Sequence, residues 1–386
     1  MDFSEVELSD EDRAFRAELR DFLESVVTDE VIRRDRETGE NFDETVHLAL
    51  GAAGYLERDW RTEADGGFTA VQRRVWELEI GRAQTPWFHW GTTAMVATAV
   101  NEFGSDQLKD EVLPKVLSGH YRLCLGYTEP EGGSDVATCK TRAVRDGDGW
   151  IINGAKMFTS NAHNARYVYL ITNTDPGAPK HQSLTMFLVP LDSPGVEIQP
   201  IRTVDGDRTN LTFYSDVRID DRYRVGPVNG GWSVLREALN AEHGTVDRDD
   251  SGLSKIAVMT EHALLLADEV DRLAGVCGDR LDDGSVAYRL GRSVARLEAA
   301  LSTPAMFGRV AIAQTLRDVT PDLMDIAGTP AAVPSELSAE YLFRLASPMG
   351  IYGGTLDVFR NMIAQHALGL GKPVVPHRQN GGGSSP

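Results

Sequence analysis

The first third of the chain has the apolar spacing of amphipathic helices. Phe15, Leu19 and Leu23 recur at four-residue intervals, which keeps them on one helical face. Ser9, followed by acidic residues, is a typical helix start. Further periodic patterns continue to about residue 117. The spacing predicts an all-helical domain over residues 1–122.

After residue 122 the pattern changes to short segments rich in β-branched and aromatic residues. The segments are separated by Gly, Pro, Asp or Asn, and consecutive segments have only turns between them, as at residues 146–149. Such spacing favours an antiparallel sandwich or barrel over a doubly wound sheet. We predict a middle β-domain over residues 123–230, with strands near 124–128, 137–144, 150–152, 167–172, 183–190, 196–201 and 212–219.

Helical periodicity returns from Gly231. The later patterns predict a bundle of four or more helices over residues 231–378. Residues 379–386 are polar and glycine-rich, which predicts a disordered tail. The predicted fold class is therefore α+β and multidomain, with an N-terminal helical domain, a middle antiparallel β-domain and a C-terminal helical bundle. The helical patterns of this last part cover residues 256–273, 286–319, 341–345 and 355–368.

Composition and charge narrow the class of protein. The 386 residues are 41% hydrophobic and 25% charged, so the chain can bury a large core. The chain has 58 acidic and 39 basic residues. The resulting net charge of −19 opposes general binding to nucleic acid or anionic membranes. No apolar run approaches the ~20 residues of a membrane span, and the N-terminus does not look like a signal peptide. We expect a cytoplasmic protein with no nucleic-acid or membrane partner.

Several common signatures are missing. Three scattered cysteines are too few for a disulfide framework, and the nine histidines include no HExxH and no other pair at ligand spacing. No metal site is predicted. The chain also lacks a G-x-S-x-G elbow, a Walker A loop and a strand-linked GxGxxG. The usual zinc, serine-hydrolase and nucleotide-binding motifs are thereby excluded.

Two stretches carry the candidate chemistry. Residues 125–138 read LGYTEPEGGSDVAT, a strand that runs into a loop with a proline, paired glycines and a serine. Glycines let backbone N–H groups approach an anionic or carbonyl-rich ligand closely. Taken alone, this loop could equally be an ordinary hairpin. The second stretch, residues 150–161, reads WIINGAKMFTSN.

Together these stretches resemble the acyl-CoA dehydrogenase family. The resemblance extends to NEFGSDQ at residues 101–107, LPK at 113–115 and IYGGT at 351–355. The family's three-domain fold agrees with the one predicted from periodicity. The resemblance implies that the protein binds FAD and oxidises an acyl-CoA substrate. The signature of the first loop matches at Gly126, Thr128, Glu129, Gly132, Gly133, Ser134 and Asp135.

The resemblance also implies roles for individual residues. Tyr127 and Thr128 would contact the pyrimidine edge of the flavin, and Ser134 would lie between the FAD pyrophosphate and the acyl-CoA. The Phe158 segment would cover one flavin face, with Ser160 near the flavin N5 atom, although Phe158 could also be a plain core aromatic. The residues implied to bind the cofactor are Tyr127, Thr128, Gly133, Ser134, Phe158, Thr159, Ser160, Thr355 and Asp357.

The catalytic base has two placements in this family. Many members place a glutamate directly before the Gly-Thr of a motif near the C-terminus, here called the late motif (residues 351–355). In this chain that position is Gly353. The other placement is the first C-terminal helix, where Glu242 shares a helical face with Leu235 and Leu239. Burial on that apolar face would raise the pKa of Glu242 and strengthen it as a proton acceptor; an exposed glutamate is the alternative. The resemblance implies that Glu242 removes the α-proton while the β-hydrogen leaves as hydride to flavin N5.

The same resemblance suggests how the substrate is held. In the family the thioester oxygen accepts hydrogen bonds from the FAD ribityl hydroxyl and from a backbone N–H, here that of Gly353 or Gly354. The absence of a side chain at Gly353 frees volume for a branched or polycyclic acyl group, such as a steroid side-chain thioester. His243 replaces the arginine that usually follows this glutamate, so the handling of CoA can differ. Gly353 joins Glu242 as a catalytic position, and Ser134, His243 and Gly354 are the expected substrate residues.

Motifs that complete the FAD site in family homotetramers are missing. Those enzymes use an Arg-x-x-Phe-Gly run and a Gln-x-x-Gly-Gly turn, and residues 271–284 and 324–328 preserve neither. Arg272 or Arg280 could compensate, but nearby aspartates would repel a pyrophosphate. We therefore expect a paralogous partner subunit in an α2β2 assembly, with an electron-transferring flavoprotein as electron acceptor. Two alternatives stay open: a related flavin oxidase, monooxygenase or desulfinase, and a non-catalytic acyl-CoA-binding subunit.

Overall fold

The computed structural model describes most of the chain. It covers residues 7–242, 259–303, 305–333 and 338–371. Within these ranges the side chains of residues 237–242, 261, 305, 306, 330 and 332 are not described. The predicted tail at residues 379–386 lies outside the described residues.

The N-terminal part is helical, as the apolar spacing predicts. Side chains cap the helices locally: Ser9 accepts a hydrogen bond from the Asp12 N–H, which satisfies one of the free amides at a helix start. Leu19 and Leu23 of the first stripe are fully buried. The helices are α1 (Asp10–Val26), α2 (Asp29–Thr38), α3 (Glu44–Ala52), α4 (Tyr55–Trp60), α5 (Ala70–Arg82), α6 (Trp90–Phe103) and α7 (Asp106–Leu117).

The middle part is one eight-stranded sheet with the order β6-β7-β3-β2-β4-β5-β8 and with β1 paired to β4. Most pairs are antiparallel as predicted, but β1–β4 and the single β2–β4 pair are parallel. β1 follows α7 and pairs with a strand that is distant in sequence, so no hairpin turn forces these two strands to be antiparallel. The strands are β1 (Leu123–Gly126), β2 (Arg142–Asp146), β3 (Gly149–Lys156), β4 (Tyr167–Asn173), β5 (Leu184–Pro190), β6 (Val196–Arg202), β7 (Arg208–Asp220) and β8 (Arg224–Val225).

Several strand bounds differ from the predictions: β3 continues to Lys156, and β7 begins at Arg208. The short β8 was not predicted, since two residues carry no periodicity. The segment predicted at 137–144 becomes strand only from Arg142, because the 3-10 turn Val136–Thr138 precedes it. This turn belongs to the glycine-containing loop of the candidate site.

The central strands are buried on both faces, which explains their continuous apolar sequence. Tyr169 and Ile171 of β4 belong to a core shared with the N-terminal helices, whereas Val168 and Leu170 belong to a second core within the β-domain. Buried Thr93 of α6 also donates to the Leu123 carbonyl at 3.1 Å. The helical and β parts are therefore packed through a common core.

The C-terminal part is again helical, so the predicted fold class is confirmed. The pattern predicted as one stretch over 286–319 is two helices, and the sequence between them reads Ser-Thr-Pro, which disfavours helix before the proline. Helices α9 to α12 share their own core. The elements are α8 (Gly231–Glu242), α9 (Thr260–Cys277), α10 (Gly284–Leu301), α11 (Ala305–Ala327), α12 (Ala339–Leu345) and α13 (Leu356–Met362), followed by the π-helix Ile363–Ala367.

Two other features are absent from the described ranges. No helix there has both the length and the apolar character needed to cross a membrane. The same residues contain no cluster of three or more His, Cys, Asp or Glu side chains that could hold a metal ion.

Gly39 forms a tight joint between the N-terminal helices and the β-domain. It ends α2 with a left-handed φ of 61°, and its carbonyl accepts the Arg208 N–H at 2.8 Å. A Cβ atom at this position would overlap the backbone carbonyl oxygen of Gly206. Gly66 also has a positive φ, but its Cβ position is open.

We expect Gly39→Ala to destabilise the protein more than Gly66→Ala. The left-handed backbone costs each alanine about 1–2 kcal/mol, and the overlap with Gly206 adds about 1–3 kcal/mol at Gly39 alone. Thermal or urea unfolding of the two purified variants measures the difference. Equal losses of stability would show that this joint is looser than its geometry indicates.

Candidate functional site

The loop after β1 folds around the carboxylate of Glu129, which is 8% exposed. The carboxylate accepts the backbone N–H groups of Lys140 at 2.7 Å and Thr141 at 2.8 Å. The Nζ of Lys156 lies 2.8 Å from the same carboxylate. Backbone bonds between Glu129 and Gly132 close a tight turn at the start of the loop. Both ends of the loop are thereby fixed to a single buried group.

Lys156 at the end of β3 is fully buried. Its Nζ also contacts the Tyr127 carbonyl at 3.3 Å and the Cys139 Sγ at 3.4 Å. Burial alone would raise the pKa of Glu129, but the Lys156 ammonium and the Thr141 N–H outweigh it and hold that pKa at about 2. Burial raises the pKa of Cys139 to about 11, so Cys139 remains a thiol. The loop and β3 are therefore joined by a buried ion pair.

The turn after β3 holds an aromatic ring outward. Phe158 has a left-handed φ of 58° and is 53% exposed, so it is not a core aromatic. The next residue, Thr159, is buried, and its backbone N–H and carbonyl both bond to Asn210 of β7, at 2.9 and 3.0 Å. The Ser160 Oγ lies 3.0 Å from the Thr209 Oγ1. These bonds to β7 fix the turn while leaving the phenyl ring accessible.

The structure brings these two segments together. The Met157 N–H donates to the Thr128 carbonyl at 2.8 Å, so Tyr127 and Thr128 lie beside the turn that carries Phe158. Tyr127 and Thr128 are half-buried. Farther along the loop, Gly133 and Ser134 are exposed. Of the residues expected to bind the cofactor, the seven in the β-domain therefore belong to one continuous assembly.

The late motif forms a glycine turn. Gly353 and Gly354 have φ angles of 59° and 99°, which favour glycine. Thr355 caps α13 by accepting the Val358 N–H at 3.2 Å, and Asp357 is exposed. Within the described part of the chain, neither Thr355 nor Asp357 forms a hydrogen bond with the two β-domain segments.

The region of the expected base is described only in part. Helix α8 extends to Glu242, and Val234 and Leu235 in its middle are buried. The side chain of Glu242 is not described, and His243 lies outside the described residues. The roles of both residues remain predictions.

The two arginines considered as substitutes for the missing motif are engaged within their own chain. Arg272 forms two bonds to buried Glu269, at 2.6 and 2.8 Å. Arg280 donates to the Ile326 carbonyl at 2.9 Å. Both arginines line a cavity of about 340 Å³ between α9, α11 and the start of α12, and no expected site residue lines this cavity.

Two residues that organise the site were missed at the sequence level. Lys156 is in phase with buried Trp150 and Ile152 at the two-residue period of a strand, so a lysine at an inward strand position was the available signal. Asn210 gave no such signal, because its partner Thr159 is 51 residues away.

Comparisons with known proteins agree with this architecture. Residues 9–120 match the family model "Acyl-CoA dehydrogenase, N-terminal domain", and residues 124–221 match "Acyl-CoA dehydrogenase, middle domain". Two relatives from Mycobacterium tuberculosis are similar. Acyl-CoA dehydrogenase FadE29 is 35% identical over 61% of this chain and 62% of its own length. Acyl-CoA dehydrogenase IpdE1 is 33% identical over 83% of this chain and 86% of its own length.

Solved structures are also similar. The "Tcur3481-Tcur3483 steroid ACAD" has a TM-score of 0.80 and 30% identity, covering 97% of this chain and 100% of that one. A chain of the ChsE4-ChsE5 complex from Mycobacterium tuberculosis has a TM-score of 0.79 and 27% identity, covering 96% of this chain and 100% of that one.

We expect Glu129→Gln to reduce stability at neutral pH by about 3–5 kcal/mol, because it leaves the Lys156 ammonium buried without its counter-charge. The wild-type pKa of about 2 lies below the ordinary 4.5, so the carboxylate stabilises the fold above pH 4.5. That contribution is lost as the pH falls from 4.5 towards 2. The difference between the two proteins should therefore shrink over this range in urea unfolding.

Glu131→Gln is the matched control. Glu131 pairs with Lys140 on the surface, where both side chains are mostly exposed. Its loss should leave the unfolding midpoint nearly unchanged. A pH-independent difference between wild type and Glu129→Gln would contradict the ion-pair interpretation.

Proposed function

Because the chain belongs to the acyl-CoA dehydrogenase family, whose members are flavin-dependent, we propose that it binds FAD and dehydrogenates the Cα–Cβ bond of an acyl-CoA thioester. The main support for the proposal is the hydrogen bond from the Met157 N–H to the Thr128 carbonyl. This bond joins the Tyr127–Thr128 segment to the Phe158–Ser160 turn. These are the two segments that the family signatures assign to the flavin.

The residues present fit a flavin. The phenyl ring of Phe158 is exposed, and the turn that carries it is held by hydrogen bonds to β7. An exposed and fixed ring suits stacking on a planar ring system. Ser160 and Thr128 bring hydroxyl groups to the same region, and the Gly133–Ser134 stretch is open enough for close approach of phosphate oxygens. FAD, when bound there, supplies the acceptor for the hydride that leaves the β-carbon.

We assign the proton-transfer step to Glu242. Gly353 has no carboxylate, and its left-handed φ of 59° favours glycine over glutamate. Another residue must then act as the base. Glu242 is the last residue of α8, and Leu235 of the same helix is buried. A glutamate on this apolar face would take the α-proton, while a backbone N–H of the Gly353–Gly354 turn stabilises the negative charge on the thioester oxygen.

We propose a branched or polycyclic acyl group as the substrate. A glycine at position 353 leaves the space beside the reacting carbons that a glutamate would fill. A similar solved protein is described as a steroid ACAD, which supports a steroid side-chain thioester. Good turnover of short straight-chain thioesters only would contradict this assignment.

We also propose that a paralogous subunit completes the FAD site in an α2β2 assembly. Arg272 and Arg280 are already bonded to Glu269 and to the Ile326 carbonyl, which disfavours them as replacements for the missing pyrophosphate-binding motif. One similar structure is described as a complex of ChsE4 with ChsE5. An electron-transferring flavoprotein would then accept the electrons.

We expect Glu242→Gln to lower kcat by about 10²–10⁴-fold, because general-base removal of the α-proton is lost. FAD content and acyl-CoA binding should persist, since the glutamine has the same size. Glu237→Gln, on another face of the same helix, is the matched control and should retain activity. Unchanged turnover in Glu242→Gln would instead favour a non-catalytic acyl-CoA-binding subunit.

We expect the chain purified alone to contain little FAD, and co-expression with its paralogous partner to restore the flavin absorbance. The reason is the missing half of the pyrophosphate site. Visible absorbance and FAD content per chain, measured with and without the partner, test this expectation. A lone chain saturated with FAD as a homo-oligomer would rule out the shared site.

A further inference from the structure

A buried arginine of α11 holds the late glycine turn. Arg309 is only 2% exposed, and its Nη2 donates to the Tyr352 carbonyl and, at 3.2 Å, to the Gly354 carbonyl. The guanidinium carbon also lies 4.8 Å from the centre of the Phe359 ring. Arg309 is three residues before buried Ile312, so it occupies the apolar face of its helix. An arginine in that position is unusual and requires an explanation.

The direction of these bonds fixes the direction of a backbone donor. No peptide bond in the described residues is cis, and in a trans peptide the carbonyl and the N–H point in opposite directions. Because the Tyr352 carbonyl faces Arg309, the N–H of Gly353 in the same peptide unit points away from α11. Among the described residues, no group accepts a hydrogen bond from this N–H. The turn therefore presents an oriented donor.

The guanidinium also strengthens that donor. A hydrogen bond from a cation polarises the carbonyl that accepts it, and within one peptide unit this makes the N–H a better donor. The effect is large in a site that excludes water, because the local dielectric is low. A donor held in place before the reaction costs no reorganisation when charge develops on its partner.

We propose that Arg309 is a positioning residue that orients and polarises the Tyr352–Gly353 peptide, so that the Gly353 N–H donates to the thioester carbonyl oxygen of the substrate. This inference rests on the proposed function. It selects Gly353 over Gly354 as the donor. When the base removes the α-proton, the electron pair of the C–H bond moves towards the carbonyl oxygen, and the Gly353 N–H stabilises the resulting enolate charge.

The test compares two ligands on the flavin-loaded assembly. A 3-thia-acyl-CoA retains the thioester carbonyl and an acidic α-CH₂ but has sulfur at the β-position, so it can lose a proton but not a hydride. The matched S-alkyl-CoA has a methylene in place of the carbonyl. Binding is followed by the change in flavin absorbance, and deprotonation of the 3-thia ligand by its long-wavelength charge-transfer band as a function of pH.

We expect Arg309→Met to weaken binding of the 3-thia ligand by roughly tenfold or more, the range of a hydrogen bond to a group that carries charge. The pKa of the bound ligand's α-proton should rise in the same variant. Binding of the S-alkyl ligand should stay within about twofold, because it has no carbonyl. Arg309→Lys restores the charge without the planar fork and should fall between wild type and Arg309→Met.

Arg344→Lys is the control for the general effect of replacing an arginine that bonds to a backbone carbonyl, although Arg344 is only half-buried. Arg344 of α12 likewise donates to a backbone carbonyl, that of Val204 at 3.1 Å, but not in the glycine turn. If the Arg309 variants do not fold, Phe359→Leu removes only the ring beside the guanidinium. It should then produce a smaller loss of the same preference for the carbonyl ligand.

Two results would overturn the inference. If the Arg309 variants bind both ligands more weakly by the same factor, Arg309 has a purely structural role. If these variants, or Phe359→Leu, keep the wild-type preference for the carbonyl ligand, Arg309 has no role in binding the thioester carbonyl. Failure of the proposed function looks different. In that case the wild-type assembly itself shows no preference for the carbonyl ligand and no charge-transfer band.

Discussion

The candidate site depends on the buried ion pair between Glu129 and Lys156. Both charges are almost completely removed from water, and such groups are tolerated only when they are paired and hydrogen-bonded. The carboxylate therefore gathers the N–H groups of Lys140 and Thr141, which fold the loop after β1 back on itself. Together with the bond between the Met157 N–H and the Thr128 carbonyl, this group fixes the loop to β3. The Phe158 turn begins two residues after Lys156 and is then held in place by its own bonds to β7.

A second buried cation organises the helical half of the protein in a different way. Lys156 is bonded to a carboxylate, and Arg309 donates to the carbonyls of Tyr352 and Gly354 as well as to the Met259 Sδ. A charge paired with a carboxylate fixes where a loop lies, because both groups lose water unless they meet. A cation bonded to carbonyls fixes the orientation of peptide units and hence of their N–H groups. The two arrangements suit a cofactor loop and an oxyanion donor, respectively.

The region that completes the cofactor site in related homotetramers has a different character. Arg272 is held by buried Glu269, and Glu269 also accepts the Ala339 N–H at 2.8 Å. Arg280 satisfies a carbonyl at the end of α11. These side chains stabilise the packing of α9, α11 and α12. Their engagement within the chain is the physical basis for proposing that another subunit supplies the missing contacts.

Much of this organisation could be predicted from the order of residues. The spacing of Phe15, Leu19 and Leu23 predicts α1 because a helix repeats every 3.6 residues, and the short β-branched segments predict most of the strands. The family signatures assigned Phe158 and Ser160 to one surface. Because position 353 is a glycine and has no carboxylate, the sequence predicts Glu242 as the base. Each of these inferences uses a local property of the chain.

The tertiary structure decided the features that depend on contacts between distant segments. The parallel pairing of β1 with β4, the Asn210 bonds to Thr159 and the Arg309 bonds to the glycine turn join residues that are 43 to 51 positions apart. Local periodicity shows that a residue such as Lys156 or Arg309 lies on an inward face. It cannot show which group the side chain meets there, because that partner is chosen by packing and by the cost of leaving a buried charge unpaired.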